Sequence, residues 1–256
     1  MANNFANDEN CVAVWNFESG ALLTDSKGGN NLTSYNGGPI LYTDSYKQGA
    51  ACAHYTPPQG SYILDASWSD DYPLKSGKTN QKVSVCGWFY IHVIGSWTAV
   101  FSKFEIGWAK RCFKALATDS GGPNFYCSIG YADGASEEAL YWGTAPQTGR
   151  WYHFGTTFDN TNKAWTFDIW DDTAQTKIID AGGTATNYMA TPSNNTTFVG
   201  VGHEWYNNLY EHWNGLIDEL VVFKDILTSD EIDLIRQGKY PNPVRPLPAF
   251  RRGGAV

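Results

Sequence analysis

Apolar and polar side chains alternate along much of this chain with a period of two, the repeat of a strand that faces a core on one side. The clearest run is Lys82-Val-Ser-Val-Cys-Gly-Trp-Phe-Tyr-Ile-His92, which sets Val83, Val85, Phe89 and Ile91 on one face and Trp88 and Tyr90 on the other. Val12-Ala-Val-Trp-Asn-Phe17 predicts a short strand and leads into Asp25-Ser-Lys-Gly-Gly-Asn-Asn31, whose glycines and side-chain acceptors suit left-handed turns. Trp151 to Phe158 and Ala164 to Trp170 flank Asp159-Asn-Thr-Asn162 and predict a hairpin. Thr197 to Val201 and Leu216 to Phe223 supply two more strands. Many short strands with turn punctuation predict an all-β fold, a two-sheet antiparallel sandwich or jelly roll.

One helix is signalled. Thr228-Ser-Asp-Glu231 is a capping box, Leu227 and Ile232 are placed to form a hydrophobic staple, and Gly238 stands where a helix stops. At two to three turns it requires docking on the sandwich to be stable. Beyond it, residues 239–256 hold several prolines and no acidic side chain. Proline at this density blocks ladder pairing and favours an extended polyproline II arm. Tyr240, Leu247 and Phe250 are candidate anchors of an assembly arm, and Arg245, Arg251 and Arg252 its charged contacts; a simple solvated terminus is the alternative. The organisation expected is an N-terminal segment (1–10), a sandwich (11–238) and an extended arm (239–256).

Composition narrows the function. The formal net charge of −8 disfavours nucleic acid as a partner, because phosphate binding needs basic stripes. No apolar run is long enough to cross a bilayer as a helix. Residues 1–10 contain no basic-then-apolar pattern, so a secretory leader is not expected. The five cysteines (Cys11, Cys52, Cys86, Cys112, Cys127) are widely spaced, lack zinc-site clustering and read as reduced thiols.

The richest candidate ligand surface is His203-Glu-Trp-Tyr-Asn-Asn-Leu-Tyr-Glu-His-Trp213. Trp205, Tyr206, Tyr210 and Trp213 offer rings to stack on a sugar, and Asn207 an amide to bond its hydroxyls. Packing is the alternative role for any of the 11 tryptophans. Catalysis is not expected. Glu231-Ile-Asp-Leu-Ile-Arg236 superficially echoes a glucanase motif but places Ile and Arg where a second Glu is needed. Asp218 and Glu219 are adjacent and so are expected on opposite faces of a strand, whereas a retaining pair must share one face. Glu137-Glu138 reads as a solvated loop.

Ala13-Val-Trp-Asn-Phe-Glu18 followed by Asp25-Ser-Lys-Gly28 resembles the opening of laminin-G-like jelly-roll domains of the concanavalin A-like lectin/glucanase superfamily. Val83 to Ile91, Phe101-Ser-Lys103, Gly149 to Phe154, Thr156 to Asp159 and the closing Asn214 to Ile232 are similar to further blocks of that family, in order. The family's usual hairpin motif is replaced here by Phe167-Asp-Ile-Trp-Asp-Asp172. The resemblance implies a structural Ca2+ joining the Asp25–Asn30 loop to Asp218; the alternative is that Asp25 and Asn30 cap turns and Asp218 makes an ordinary hydrogen bond. The leaderless acidic chain resembles versions found among tailed-phage structural proteins. That resemblance implies a non-enzymatic virion surface component, a head decoration or tail-fibre adhesion module. It would bind neighbouring subunits and, through the aromatic loop, surface glycans. A secreted or cell-surface lectin-like module is the first alternative and a glucanase-like hydrolase the second.

Overall fold

The computed structural model describes residues 3–34, 37–56, 62–64, 81–95, 98–106, 110–119, 123–132, 134–190, 199–206 and 209–240. The first strands are β1 (Cys11–Trp15), β2 (Thr33–Ser34), β3 (Ile40–Tyr42), β4 (Cys52–Tyr55), β5 (Tyr62–Leu64) and β6 (Lys82–Ile91). Then come β7 (Thr98–Lys103), β8 (Glu105–Ile106), β9 (Phe113–Asp119), β10 (Asn124–Tyr131), β11 (Ser136–Gly143) and β12 (Trp151–Asp159). The last are β13 (Ala164–Asp171), β14 (Thr176–Thr184), β15 (Val199–Val201), β16 (His203–Tyr206), β17 (Leu209–His212), β18 (Gly215–Phe223) and the helix α1 (Ser229–Arg236).

Sheet A has the order β14-β13-β12-β6-β18-β4-β3, with β1 also paired to β18; sheet B has the order β11-β10-β9-β7-β15-β5-β2. They pack face to face as the alternation predicts. Val85, Phe89, Phe154 and Ile217 of sheet A meet Phe101, Phe113, Phe125 and Val199 of sheet B in one buried core. Phe89 lies edge-on to Phe125 across it, at 6.1 Å between ring centres. Trp88 falls on the opposite side of β6 among Cys52, Trp151 and Leu216, a separate cluster on the outer face of sheet A. Burying the larger core rings contributes about 2–3 kcal/mol each, so the long apolar strands β6, β12 and β18 carry much of the stability.

The helix docks on that outer face. Thr228 caps it, its hydroxyl accepting from the Glu231 N–H while the Glu231 carboxylate accepts from the Thr228 N–H at 2.8 Å. Gly238, at φ 67°, ends it, with the Lys239 N–H reaching the Leu234 carbonyl at 2.8 Å; a side chain is strained in that left-handed conformation. Gly155 of β12 permits the close approach, since a Cβ there would stand 2.6 Å from Ile232. The segment from Asn3 to Asn10 packs with the helix: Phe5 is buried with Val221, Phe223, Ile235 and Tyr240. All five cysteines are free and buried.

Candidate functional site

The predicted aromatic loop is a hairpin of β16 and β17, with β8 completing a small third sheet. The register sets His203 opposite His212 and Trp205 opposite Tyr210. The side chains of Trp205, Tyr206 and Tyr210, and Asn207 altogether, lie outside the described residues. Trp213 is placed, and it is no ligand residue. It is fully buried, with its ring 5.7 Å from that of Phe89 in the core. The reason is its position one residue past β17, where the chain turns back into sheet A; packing claims the ring.

Of the three residues the resemblance gives as calcium ligands, Asp25 has both oxygens hydrogen-bonded, whereas Asn30 Oδ1 and Asp218 Oδ1 are buried without a hydrogen-bond partner. Both oxygens of Asp25 bind backbone N–H groups of its own turn and of β1: Oδ1 those of Val14 and Lys27 at 2.9 Å, Oδ2 that of Asn30 at 3.1 Å. Asn30 donates from Nδ2 to the Val12 carbonyl, and its own carbonyl accepts the Trp15 indole N–H at 2.9 Å. The ammonium of Lys27, from the same turn, binds the carbonyls of Phe5, Ala6 and Asp8. Asp218 accepts the N–H groups of Lys47 and Gln48 on Oδ2, at 2.7 and 2.9 Å. Among the described residues, no three His, Cys, Asp or Glu side chains are grouped to hold a metal ion. The bonds of Asp25 to Lys27 and Asn30 are those of a turn cap, whereas the Asn30 amide reaches across to the Val12 carbonyl of β1.

Of the arm, Arg245, Leu247, Phe250, Arg251 and Arg252 lie outside the described residues. Tyr240 corrects the expectation of a free anchor for a neighbouring subunit. Its ring stacks 5.3 Å from Phe5, its hydroxyl donates to Asp8 at 2.7 Å, and its N–H donates to Asn3 at 2.8 Å. It is spent within its own chain.

A polar and aromatic cluster that the sequence does not disclose, buried except for Trp142 and part of Glu137, lies on the outer face of sheet B. Strand alternation carries Tyr126 and Ser128 of β10 to that face, opposite the core residues Phe125, Cys127 and Ile129. Glu137 of β11 accepts from Ser128 Oγ at 2.7 Å and from the Tyr126 hydroxyl. Lys114 of β9 lies 3.2 Å from the same Glu137 oxygen, 3.9 Å from the centre of the Phe104 ring and 5.3 Å from that of Tyr126. Its side chain is wholly buried, a costly position for an ammonium that the carboxylate and two ring faces offset. Beside this network Trp142 stands 51% exposed, edge-on to Tyr126 at 5.6 Å. Ala99 and Ala117 pack against Tyr126 and make a low floor.

Glu137 and Glu138 therefore belong to a strand, not to a solvated loop. Glu138 holds the turn after β14 through the N–H groups of Thr186 and Asn187, at 2.7 and 2.8 Å. Partial burial raises its pKa, but those donors outweigh it and leave the carboxyl below its ordinary range. The signal for this site was available in polar Lys114, Ser128 and Glu137 recurring inside apolar strands. It was weak because each residue sits alone in its own strand and only the register brings them together.

A jelly-roll sandwich with an aromatic and carboxylate cluster on one outer face is a lectin-type architecture. Residues 69–233 match the Laminin_G_3 family, and the chain belongs to the concanavalin A-like lectin/glucanases superfamily. No curated protein matches it. Among solved structures it is similar to the enzymatically active domain of bacteriophage CBA120 tailspike protein 2, at 14% identity and TM-score 0.51, over 79% of this chain and 29% of that one. It is also similar to Trypanosoma rangeli sialidase in complex with sialic acid, at 10% identity and TM-score 0.60, over 93% of this chain and 34% of that one. A mutant of that sialidase displaying trans-sialidase activity matches at 10% identity and TM-score 0.53, over 92% and 34%. The chain thus spans about a third of the length of these proteins, and the likeness is one of fold.

These neighbours overturn the expectation that the chain is not an enzyme. Chains that contain this fold include an enzymatically active tailspike domain and sialidases, so neither the sandwich nor the missing hydrolase motifs exclude catalysis.

Proposed function

We propose that the chain is a carbohydrate-recognition sandwich of a virion-associated or extracellular protein, and that it reads glycan on the outer face of sheet B. The observation that carries this reading is Trp142, half-exposed and braced edge-on by Tyr126, beside the Glu137–Ser128–Lys114 network. A pyranose needs an open ring face for its C–H groups and fixed polar atoms for its hydroxyls. Trp142 supplies the first and Glu137, held by three partners, the second. The tailspike and sialidase neighbours support a setting in which surface glycans of a host cell are met, with neighbouring subunits of a particle as protein partners.

The test is a glycan array probed with the purified chain and with Trp142→Ala, followed by mass analysis of each bound glycan after incubation. Binding that the substitution abolishes without lowering the melting temperature supports the reading, and shortened glycans would add hydrolysis to it. Binding that survives Trp142→Ala sinks this site. Detection of the chain in purified particles by mass spectrometry tests the virion setting.

A further inference from the structure

A row of paired residues crosses the outer face of sheet A: Trp88 of β6 lies opposite His153 of β12, and His153 opposite Trp170 of β13. Directly opposed residues share a face, and the Trp88 and His153 rings meet there edge-on at 5.0 Å. Among the described residues, Trp88 Nε1, His153 Nε2 and Trp170 Nε1 are buried nitrogens without a hydrogen-bond partner. A buried polar atom left so costs roughly 1–3 kcal/mol, and neighbouring ones are uncommon in folded proteins. His153 and Trp170 line a cavity of about 20 Å³ between sheet A and α1, which is room for one group of water's size.

Charge and hydrogen bonding select what fits there. The ionic groups that line the cavity cancel in pairs: Arg236 lies 2.6 Å from Asp233, and Lys177 lies 3.5 Å from Asp168. An ion of either sign therefore gains little. An indole N–H only donates, whereas imidazole Nε2 donates in one tautomer and accepts in the other. Burial, with Arg236 nearby, pushes the His153 pKa down to about 3 and keeps the ring neutral. A hydroxyl both donates and accepts, so it serves both rings in either tautomer. The rim is reachable, since Ser229 is exposed and the Lys177 side chain is 31% exposed. The Arg236 guanidinium covers the Trp170 ring at 3.8 Å. Its hydrogen bond is to Asp233 of the same helix, so it can turn aside while α1 stays docked.

We propose that this cavity is a second carbohydrate subsite, which takes one hydroxyl of a neutral sugar or polyol between His153 Nε2 and Trp170 Nε1. The rest of the ligand lies outward, toward Ser229 and Lys177. The site shares no residue with the one on sheet B and does not depend on it.

A titration of the isotope-labelled full chain with glycerol, a small polyol with adjacent hydroxyls, tests this by nuclear magnetic resonance. The Trp170 indole N–H signal, assigned by its loss in Trp170→Phe, is expected to shift saturably, with half-saturation on the order of 10 mM. Followed through the His153 ring, Trp170→Phe should bind at least fivefold more weakly. Sodium acetate should give no saturable shift. A Trp170 signal that stays still, or that drifts linearly together with every other indole, overturns the proposal. An equal response to acetate also overturns it and would make the cavity an ion site. Trp142→Ala is expected to leave the glycerol response unchanged, so failure here is distinguishable from failure of the sheet B site.

Discussion

Asp218 and Glu219 are consecutive residues of β18, yet both side chains turn to the outer side of sheet A. Asp218 binds the 47–48 backbone there, and both Glu219 oxygens accept from the Asn3 amide nitrogen beside the helix end. Strand alternation forbids this, and a bulge permits it: the register slips between Asp218 and Val221, and Glu219 stands at φ 42°. The expectation of opposite faces is thereby corrected. So is its use against catalysis, although Asp218 is too deeply buried to meet a substrate.

Burying the two acids side by side has a pH signature. Desolvation, and after it their mutual repulsion, raise Glu219 to about 8; desolvation raises Asp218 to about 7 despite its two N–H donors. A carboxyl raised on folding contributes stability that is present below its unfolded pKa, near 4, and is lost as pH climbs through 7 and 8. Buried His153 and His203 act oppositely: desolvation lowers both to about 3, so their contribution is lost as pH falls below their unfolded pKa of about 6.5. The two trends overlap in acid, so the carboxyl effect is read cleanly above neutrality. Melting temperature should fall from pH 7 to 8.5, and Asp218→Asn or Glu219→Gln should flatten that limb. Identical slopes in all three proteins would remove the explanation.

Asp25 is a turn fastener, and its removal should be felt without any ion. Asp25→Ala leaves three backbone N–H groups without their acceptor, a loss of roughly 2–4 kcal/mol. Thermal melts of wild type and variant, each with and without chelator, check this. The variant's deficit should be the same in both buffers; a deficit that chelator erases would restore the calcium site.

Trp142 and Trp213 should behave as opposites. Trp142→Ala, at a half-exposed edge-strand position, should shift stability by no more than about 0.5–1 kcal/mol and abolish glycan binding. Trp213→Ala opens a cavity beside Phe89 and should lose about 3–5 kcal/mol. Chemical denaturation and the array together separate the two.

The contrast measures what a sequence discloses. The faces of β6, the β12–β13 hairpin, the capped helix and its glycine stop were all legible, because period, turn chemistry and caps are local. Trp213 was misjudged because an aromatic-rich stretch looks the same whether it lines a ligand or fills a core; only the turn into β18 decides. Tyr240 was assigned to a partner because its contacts with Asn3, Phe5 and Asp8 lie more than 230 residues away. The Glu137 network was overlooked for the same reason: Lys114, Ser128 and Glu137 meet only through the pairing of β9 with β10 and β10 with β11.

A clasp centred on Asn3 joins the two ends of the described chain. The Asn3 amide group serves both Glu219 oxygens, at 3.0 and 2.9 Å, and the Ile235 carbonyl at 2.8 Å, while its oxygen accepts the Tyr240 N–H. One side chain thus ties together β18, the last turn of α1 and the residue that follows it. Asn3→Ala removes all four contacts and leaves a buried carboxylate and a helix carbonyl without them, a loss of roughly 2–4 kcal/mol. Tyr240→Phe removes only the bond to Asp8 and should lose about 1–2 kcal/mol, because the ring still stacks on Phe5. Losing the clasp should free the helix end before the sandwich opens, since a chain end opens locally at lower cost than the core unfolds. Trypsin at low ratio should therefore cut after Lys239 in Asn3→Ala well below the melting temperature, and only slowly in wild type. Cleavage at equal rates in the two proteins would mean that the helix end is held by the Tyr240 ring alone.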